Sequence, residues 1–189
     1  MEHPEIIARL KQGDRSAFTE IVEQSQHMIY NTALSIVQHE EDAEDITQDV
    51  FVTLFEKISG FREESALSTW LYRITVRKAL DHEKKKQRQK HGGFLQRVFS
   101  VRASEEPAHF DHPGVALDKK EQAAVLFRAL KKLPEKQRVA FTLHKMEGLS
   151  YQQIADIMDN SLFATESLLV RAKNNLKNML QEYYEQQFK

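Results

Sequence analysis

Apolar residues recur three and four positions apart along most of this chain, the spacing that gathers side chains on one face of a helix. Over 15–38 the stripe is Phe18, Ile21, Val22, Met28, Ile29, Ala33, Leu34 and Val37; the next segment sets Ala43, Ile46, Val50, Leu54 and Ile58 in the same rhythm. Pro4 and Gly13 bracket a short helix over about 4–12, and Asp14 stands where a helix cap belongs. Gly60 closes the third helix, and Phe61-Arg62-Glu63-Glu64-Ser65 reads as a loop. Ser68-Thr69-Trp70 then opens a long helix to about residue 88, with Trp70, Leu71, Ile74 and Leu80 turned inward. The rhythm lapses over 89–117, where Gly92, Gly93, Pro107, Pro113 and Gly114 collect, and resumes from Asp118 to Lys132. Pro134 starts a further helix to about Met146. No segment alternates as a half-buried strand does. The pattern predicts an all-α fold: two small helical domains, 1–88 and 118–189, on a flexible linker, 89–117.

The second of these units carries the most informative stretch. Ser150 with Gln153 three residues on forms a capping box, and Ile154, Ala155 and Met158 follow at helical spacing. Asp159-Asn160 breaks the run, and Ser161 caps a longer helix whose apolar face is Leu168, Leu169, Ala172, Leu176 and Met179. Its other face holds Phe163, Glu166, Ser167, Val170, Arg171 and Asn174. Short helix, tight turn and second helix with a polar outer stripe make the helix-turn-helix pattern, in which the second helix enters the major groove of DNA. An ordinary helical hairpin with a solvated face is the alternative.

Charge changes the picture more than composition does. The chain of 189 residues is 41% hydrophobic and has a net charge of −1, with no cysteine, which excludes disulfides, cysteine zinc sites and thiol catalysis. No apolar run is long enough to span a membrane, and the first residues lack the pattern of a signal peptide. Along the chain, however, residues 1–60 hold twelve acids against four cations, and residues 73–102 hold ten cations against two acids. Acidic and basic zones of this kind face different partners, unless they are two solvated faces that balance.

Glu41, Asp45 and Asp49 recur at i, i+4 and i+8, a like-charge stripe that weakens an isolated helix by a few tenths of a kcal/mol per pair. The helix dipole accounts for acids in the first turn but not for Asp45 and Asp49. A basic protein surface as partner explains them; a solvated face and a carboxylate metal site are the rivals, the latter without the Glu-x-x-His pattern of di-iron bundles. Further on, Phe61, Trp70 and Tyr72 are interleaved with Arg62, Arg73, Arg77 and Lys78, a composition suited to stacking nucleobases and holding phosphate. Trp70 also sits at core spacing. Lys84-Lys85-Lys86 is either a phosphate contact or a solvated helix end. His109-Phe110-Asp111-His112 lacks a third metal-ligand pattern, and there is no nucleophile elbow or phosphate-cradling glycine loop. No catalytic site, metal or cofactor is expected.

The order of these features resembles one family. D-A-E-D-I-T-Q-D-V-F precedes S-T-W-L-Y-R-I, then a basic helix, a linker, L-P-x-x-x-R-x-A-F and a terminal helix-turn-helix. This is similar to the extracytoplasmic-function (ECF) group of bacterial sigma-70 factors, over roughly residues 6–88 and 118–180. The resemblance implies a cytoplasmic transcription initiation subunit that binds promoter DNA and core RNA polymerase, through the largest subunit's coiled coil and the flap, and that an anti-sigma factor holds inactive. It places Asp42, Glu44, Asp45, Gln48 and Asp49 on that coiled coil. It places Phe61 to Thr69, with Arg62, Ser65 and Ser68 between them, at a nucleobase flipped from the −10 element, and Trp70, Arg73, Arg77, Lys78, Lys84 and Lys85 along the same element and its backbone. Ser161, Phe163, Glu166, Ser167, Val170, Arg171 and Lys173 are placed at the −35 element, with Arg171 suited to a bidentate bond with guanine. The family's linker threads towards the RNA exit path, a course that Phe94, Leu95, Val98 and Phe99 suit. Departures lie at Arg77, where relatives often carry Asn, and at Glu166 and Leu168, where they often carry a cation. A free-standing helix-turn-helix regulator and a helical metalloenzyme remain the alternatives.

Overall fold

The computed structural model describes residues 4–92 and 120–187, and these are helical throughout their regular parts. In chain order they form α1 (Pro4–Lys11), α2 (Arg15–Val37), α3 (Glu40–Lys57), a 3₁₀ turn (Ile58–Gly60), α4 (Leu67–Gly92), α5 (Lys120–Lys132), α6 (Glu135–Lys145), α7 (Tyr151–Met158) and α8 (Leu162–Gln187). The ends follow from local chemistry. Asp14 accepts the amides of Ser16 and Ala17 and so caps α2, while Gln38 ends it in a left-handed conformation (φ 54°). The Ser150–Gln153 capping box starts α7, and Asp159, also left-handed (φ 52°), ends it. Ser161 Oγ accepts the Ala164 amide at 3.1 Å at the head of α8.

The expected end of α4 is corrected. The helix runs on through Gly92 rather than stopping near residue 88. Gln87 to Lys90 are all good helix formers, so nothing breaks the ladder before the two glycines. The rest of the expected linker, with Phe94 to Phe99 and the His109–His112 segment, lies outside the described residues.

Two apolar clusters hold the helices. The smaller one, Phe127, Ala129, Leu130, Leu133, Ala172 and Leu176, joins α5 to α8. The larger one contains the expected stripes of α2, apart from Val22, and of α3, with Ile29, Ala33, Ala43, Val50 and Leu54 essentially without solvent exposure. It does not stop at the linker: Val139, Ala140 and Leu143 of α6, Ile154 and Ile157 of α7, and Leu169 of α8 belong to it. The second unit is therefore packed on the first, with α6 against α2 and α7 against α4.

Ionic groups tie α3 to α4. Lys86 donates to Asp42 at 2.7 Å, His82 Nε2 lies 3.3 Å from the same carboxylate, and His39 Nδ1 is 3.5 Å away. One helical face further along, Lys78 approaches Asp49 at 3.5 Å. Burial pushes the Asp42 carboxyl up, but the bond from Lys86 and the charges of Lys86, His82 and His39 prevail and hold it below its usual 3.8.

A depressed carboxylate stabilises the fold above its ordinary pKa, and that stability disappears as pH falls through the lowered value. Asp42→Asn should therefore reduce the melting temperature at neutral pH and flatten its decline below about pH 4, read by calorimetry across pH. Ser150→Ala, which removes half a capping box, should cost about 1 kcal/mol and lower the melting temperature by roughly 2–4 °C.

Candidate functional site

Three surfaces carry the chemistry the sequence singles out. The first is the outer face of α3. Glu44, Asp45 and Gln48 are exposed, and Asp49 keeps 70% of its side-chain surface despite its contact with Lys78. Asp42 differs from them. Its side chain is only 17% exposed and faces α4, so it braces the helix pair and is not free to meet a partner in this arrangement. Two side chains that the sequence reading passed over continue the same line at three- and four-residue spacing: Val52, 55% exposed, and Phe55, 64% exposed. Phe55 meets Phe18 edge-on at 5.7 Å and otherwise faces out. Continuing from Asp49 by two steps of three residues would have found them.

The second surface is α4 with the loop before it. Arg62, Arg73, Arg77, Lys84 and Lys85 are exposed, and Ser65, Ser68, Thr69 and Trp70 are half-buried. Phe61 is buried, with its ring tilted on Trp70 at 5.2 Å and Lys11 over it at 5.9 Å. It anchors the loop, and no nucleobase can stack on it here. Tyr72 is likewise buried. At Phe61 and Tyr72 the alternation of aromatic and cationic residues suggested platforms where the fold has put core. Lys11 was not anticipated; it also pairs with Glu63, a loop residue held at φ 59°. The short helix α1 thus fixes the loop by two contacts from one side chain.

The cations of α4 part to its two sides. Lys78 and Lys86 turn to the acids of α3, whereas Arg73 and Lys84 turn to the second unit. Arg73 donates through Nε and Nη2 to the Asp156 carbonyl of α7 at 2.9 and 2.7 Å, and Lys84 Nζ is 3.4 Å from Glu135. Deeper in, Arg138 of α6 pairs with Glu83, both largely buried, and the Tyr72 hydroxyl donates to Glu147 at 3.1 Å. Burial pushes the Glu147 carboxyl up, and burial together with the Glu147 charge pushes the Tyr72 hydroxyl up. A cleft of about 500 Å³ remains between the two, lined by Arg73, Arg77 and Lys84 on one wall and by Glu135, Ile157 and Asp159 on the other.

The third surface is α8. Leu169, Ala172 and Leu176 anchor it from beneath, and Thr165 is fully buried. Above them stand Phe163, 79% exposed, and Val170, 59% exposed, with Ser161, Glu166, Arg171 and Lys173 also exposed and Ser167 half-buried. The left-handed Asp159 turns the chain between α7 and α8, and the Asn160 amide closes onto the Ala155 carbonyl at 3.0 Å. Among the described residues, no three His, Asp or Glu side chains converge in a metal-holding group, and no helix is long and apolar enough to cross a membrane.

Comparison with known proteins places the chain in a family. Sigma-70 region 2 matches residues 21–89, and Sigma-70, region 4 matches residues 118–176. The RNA polymerase sigma-H factor of Pseudomonas aeruginosa is 30% identical over 187 residues, which is 94% of this chain and 93% of that one. The ECF RNA polymerase sigma-E factor of Escherichia coli is 29% identical over 178 residues, 93% of each. Two solved structures share the fold. CnrH in complex with the cytosolic domain of CnrY has a TM-score of 0.68 at 22% identity, over 94% of this chain and 96% of that one. The sigma factor RpoE in complex with the anti-sigma factor NepR from Bartonella quintana has a TM-score of 0.66 at 24% identity, over 87% and 96%. With both regions matched in order, the chain belongs to the ECF group of sigma-70 factors, the subunits that bind core RNA polymerase, recognise −10 and −35 promoter elements and direct the initiation of transcription.

Proposed function

We propose that the three surfaces divide this work among themselves, over two domains at 1–88 and 118–189 with 89–117 between them. The outer face of α3 docks on the basic coiled coil of the polymerase largest subunit through Glu44, Asp45, Gln48 and Asp49, with Val52 and Phe55 extending the contact. Asp42 contributes by holding α3 on α4. The loop from Arg62 to Thr69 receives a flipped nucleobase of the −10 element, and Arg73, Arg77, Lys78, Lys84 and Lys85 hold its backbone. Unstacking a nucleobase costs a few kcal/mol, which contacts in a protein pocket offset without ATP. In this reading the chain acts by binding alone, with no reaction of its own, in the cytoplasm where polymerase works.

The −35 element falls to α8. The observation that carries this is the presentation of the helix: Phe163, Glu166, Val170 and Arg171 stand exposed over buried Leu169, Ala172 and Leu176. Arg171 offers a fork for guanine O6 and N7, Glu166 accepts from cytosine N4, and Phe163 and Val170 suit thymine methyl groups. Ser161 and Lys173 flank this row towards phosphate. The C-terminal unit also takes the polymerase flap. An anti-sigma factor is the proposed inhibitor; the two structural relatives described above were each solved with CnrY or NepR bound.

Replacing Asp45 and Asp49 together by Lys should abolish co-elution with core polymerase on a sizing column while leaving the circular dichroism spectrum and −35 duplex binding intact. Retained co-elution would reject the α3 assignment. Arg171→Ala should cost about 1–3 kcal/mol of discrimination at a single base pair of the upstream box in a promoter-variant competition. Deoxyuridine in place of thymine in that box should weaken the wild-type chain several-fold and leave Phe163→Ala indifferent.

A further inference from the structure

We infer that Lys11 of α1 is a positioning residue for the loop between the 3₁₀ turn and α4, and that through Glu63 it sets which base this loop accepts. The inference rests on the assignment of the loop to a flipped nucleobase of the −10 element, and adds to it what holds the loop in its reading shape.

The loop spans two fixed points. Phe61 is buried at its start, with its amide bonded to the Ile58 carbonyl at 3.0 Å, and Leu67 is buried where α4 begins. Between them Arg62, Glu63, Glu64 and Ala66 are exposed and Ser65 is half-buried, so little of the shape comes from burial. Midway, Glu63 holds a φ of 59°, which residues with a side chain rarely adopt. Such backbone persists where surrounding groups impose it, and it gathers at sites that clamp a ligand. The group that meets Glu63 is 52 residues away in sequence. Lys11 Nζ pairs with its carboxylate and lies 5.9 Å from the centre of the Phe61 ring.

Lys11 stands on a firm footing. Ile6, Ile7 and Leu10 are buried and seat α1, while Arg9 donates to Asp14 at 2.8 Å and to Ser16 at 2.7 Å, which locks α1 to the start of α2. The Lys11 and Glu63 side chains are 29% and 47% exposed, and a pair so open to water adds little to stability. What it supplies is geometry: it ties the middle of an exposed loop to a helix that the core holds still.

The consequence falls on selectivity. Phosphate contacts, the part given above to Arg77 and Lys85, act on any sequence, whereas base edges are read by hydrogen bonds that weaken steeply with misalignment. A loop released from Lys11 keeps the first and degrades the second. Lys11 itself, engaged with Glu63 and the Phe61 ring, touches no phosphate in this reading.

The test uses the full chain bound to core polymerase, titrated with single-stranded −10 oligonucleotides that carry each base in turn at every position. The readout is the ratio of best to worst affinity at the position where the wild type discriminates most. Lys11→Ala should lower that ratio about fivefold or more, through loss at the preferred base alone, with the salt dependence of binding unchanged. Glu63→Gln, which breaks the pair from its exposed side, should do the same, and the two together should add little to either. Lys11→Arg, which keeps the charge and the reach, should restore the preference. Circular dichroism and −35 duplex binding should match the wild type throughout. An unchanged ratio in both Lys11→Ala and Glu63→Gln overturns the inference. So does an equal loss at all four bases with a salt slope shallower by about 0.7, the mark of one lost phosphate contact on a single strand. A wild type that ignores base identity at every position would instead defeat the assignment of the loop.

Discussion

The positive charge of α4 is the constraint on which the rest of the structure depends. Arg73, Arg77, Lys78, Lys84, Lys85 and Lys86 fall within fourteen positions of one helix, and like charges at helical spacing repel. The fold answers with oxygen on two sides. Carboxylates of α3 take Lys78 and Lys86, and the carbonyl end of α7 with Glu135 of α6 takes Arg73 and Lys84. The first set lies on the neighbouring helix of the same unit. The second belongs to the other half of the chain and competes with any polyanion that approaches. An acidic helix and a basic helix that seemed to await different partners are thus partly each other's counterions.

The helices, their caps and the helix-turn-helix were legible because they depend on neighbours in sequence. Asp14, Ser150 with Gln153, and Ser161 act on amides two or three residues away, and each does so here. The stripes of α2 and α3 were legible for the same reason, since periodicity marks which face is apolar. It does not say what covers that face. Hence the burial of Phe61 and Tyr72, the inward turn of Asp42 and the packing of α6 and α7 on the first unit escaped the sequence reading. Each depends on a partner far along the chain: Lys11 on the loop, Lys86 on Asp42, Glu147 on Tyr72. The end of α4 was misplaced for a simpler reason, because a polar run of good helix formers has no apolar stripe to reveal it.

Large apolar side chains left in water are concentrated rather than scattered. Among the described residues these are Val52 and Phe55 on α3, and Tyr151, Leu162, Phe163 and Val170 in the helix-turn-helix. Scattered singly they would need no explanation, but gathered in two places they mark surfaces that a partner covers. Both places coincide with the faces proposed above to meet polymerase and duplex DNA. Charge steers such encounters and apolar contact outlasts them, so each of the two faces pairs a long-range attraction with a short-range grip.

The eight residues of α7 link an inward-facing contact to an outward-facing helix. Its Asp156 carbonyl holds Arg73, and three residues later the left-handed Asp159 redirects the chain into α8. Through so short a rigid arm, a tilt at one end must be felt at the other. While the Arg73 contact holds, the angle at which α8 presents its outer face is set by α4 as well as by the helices beneath it.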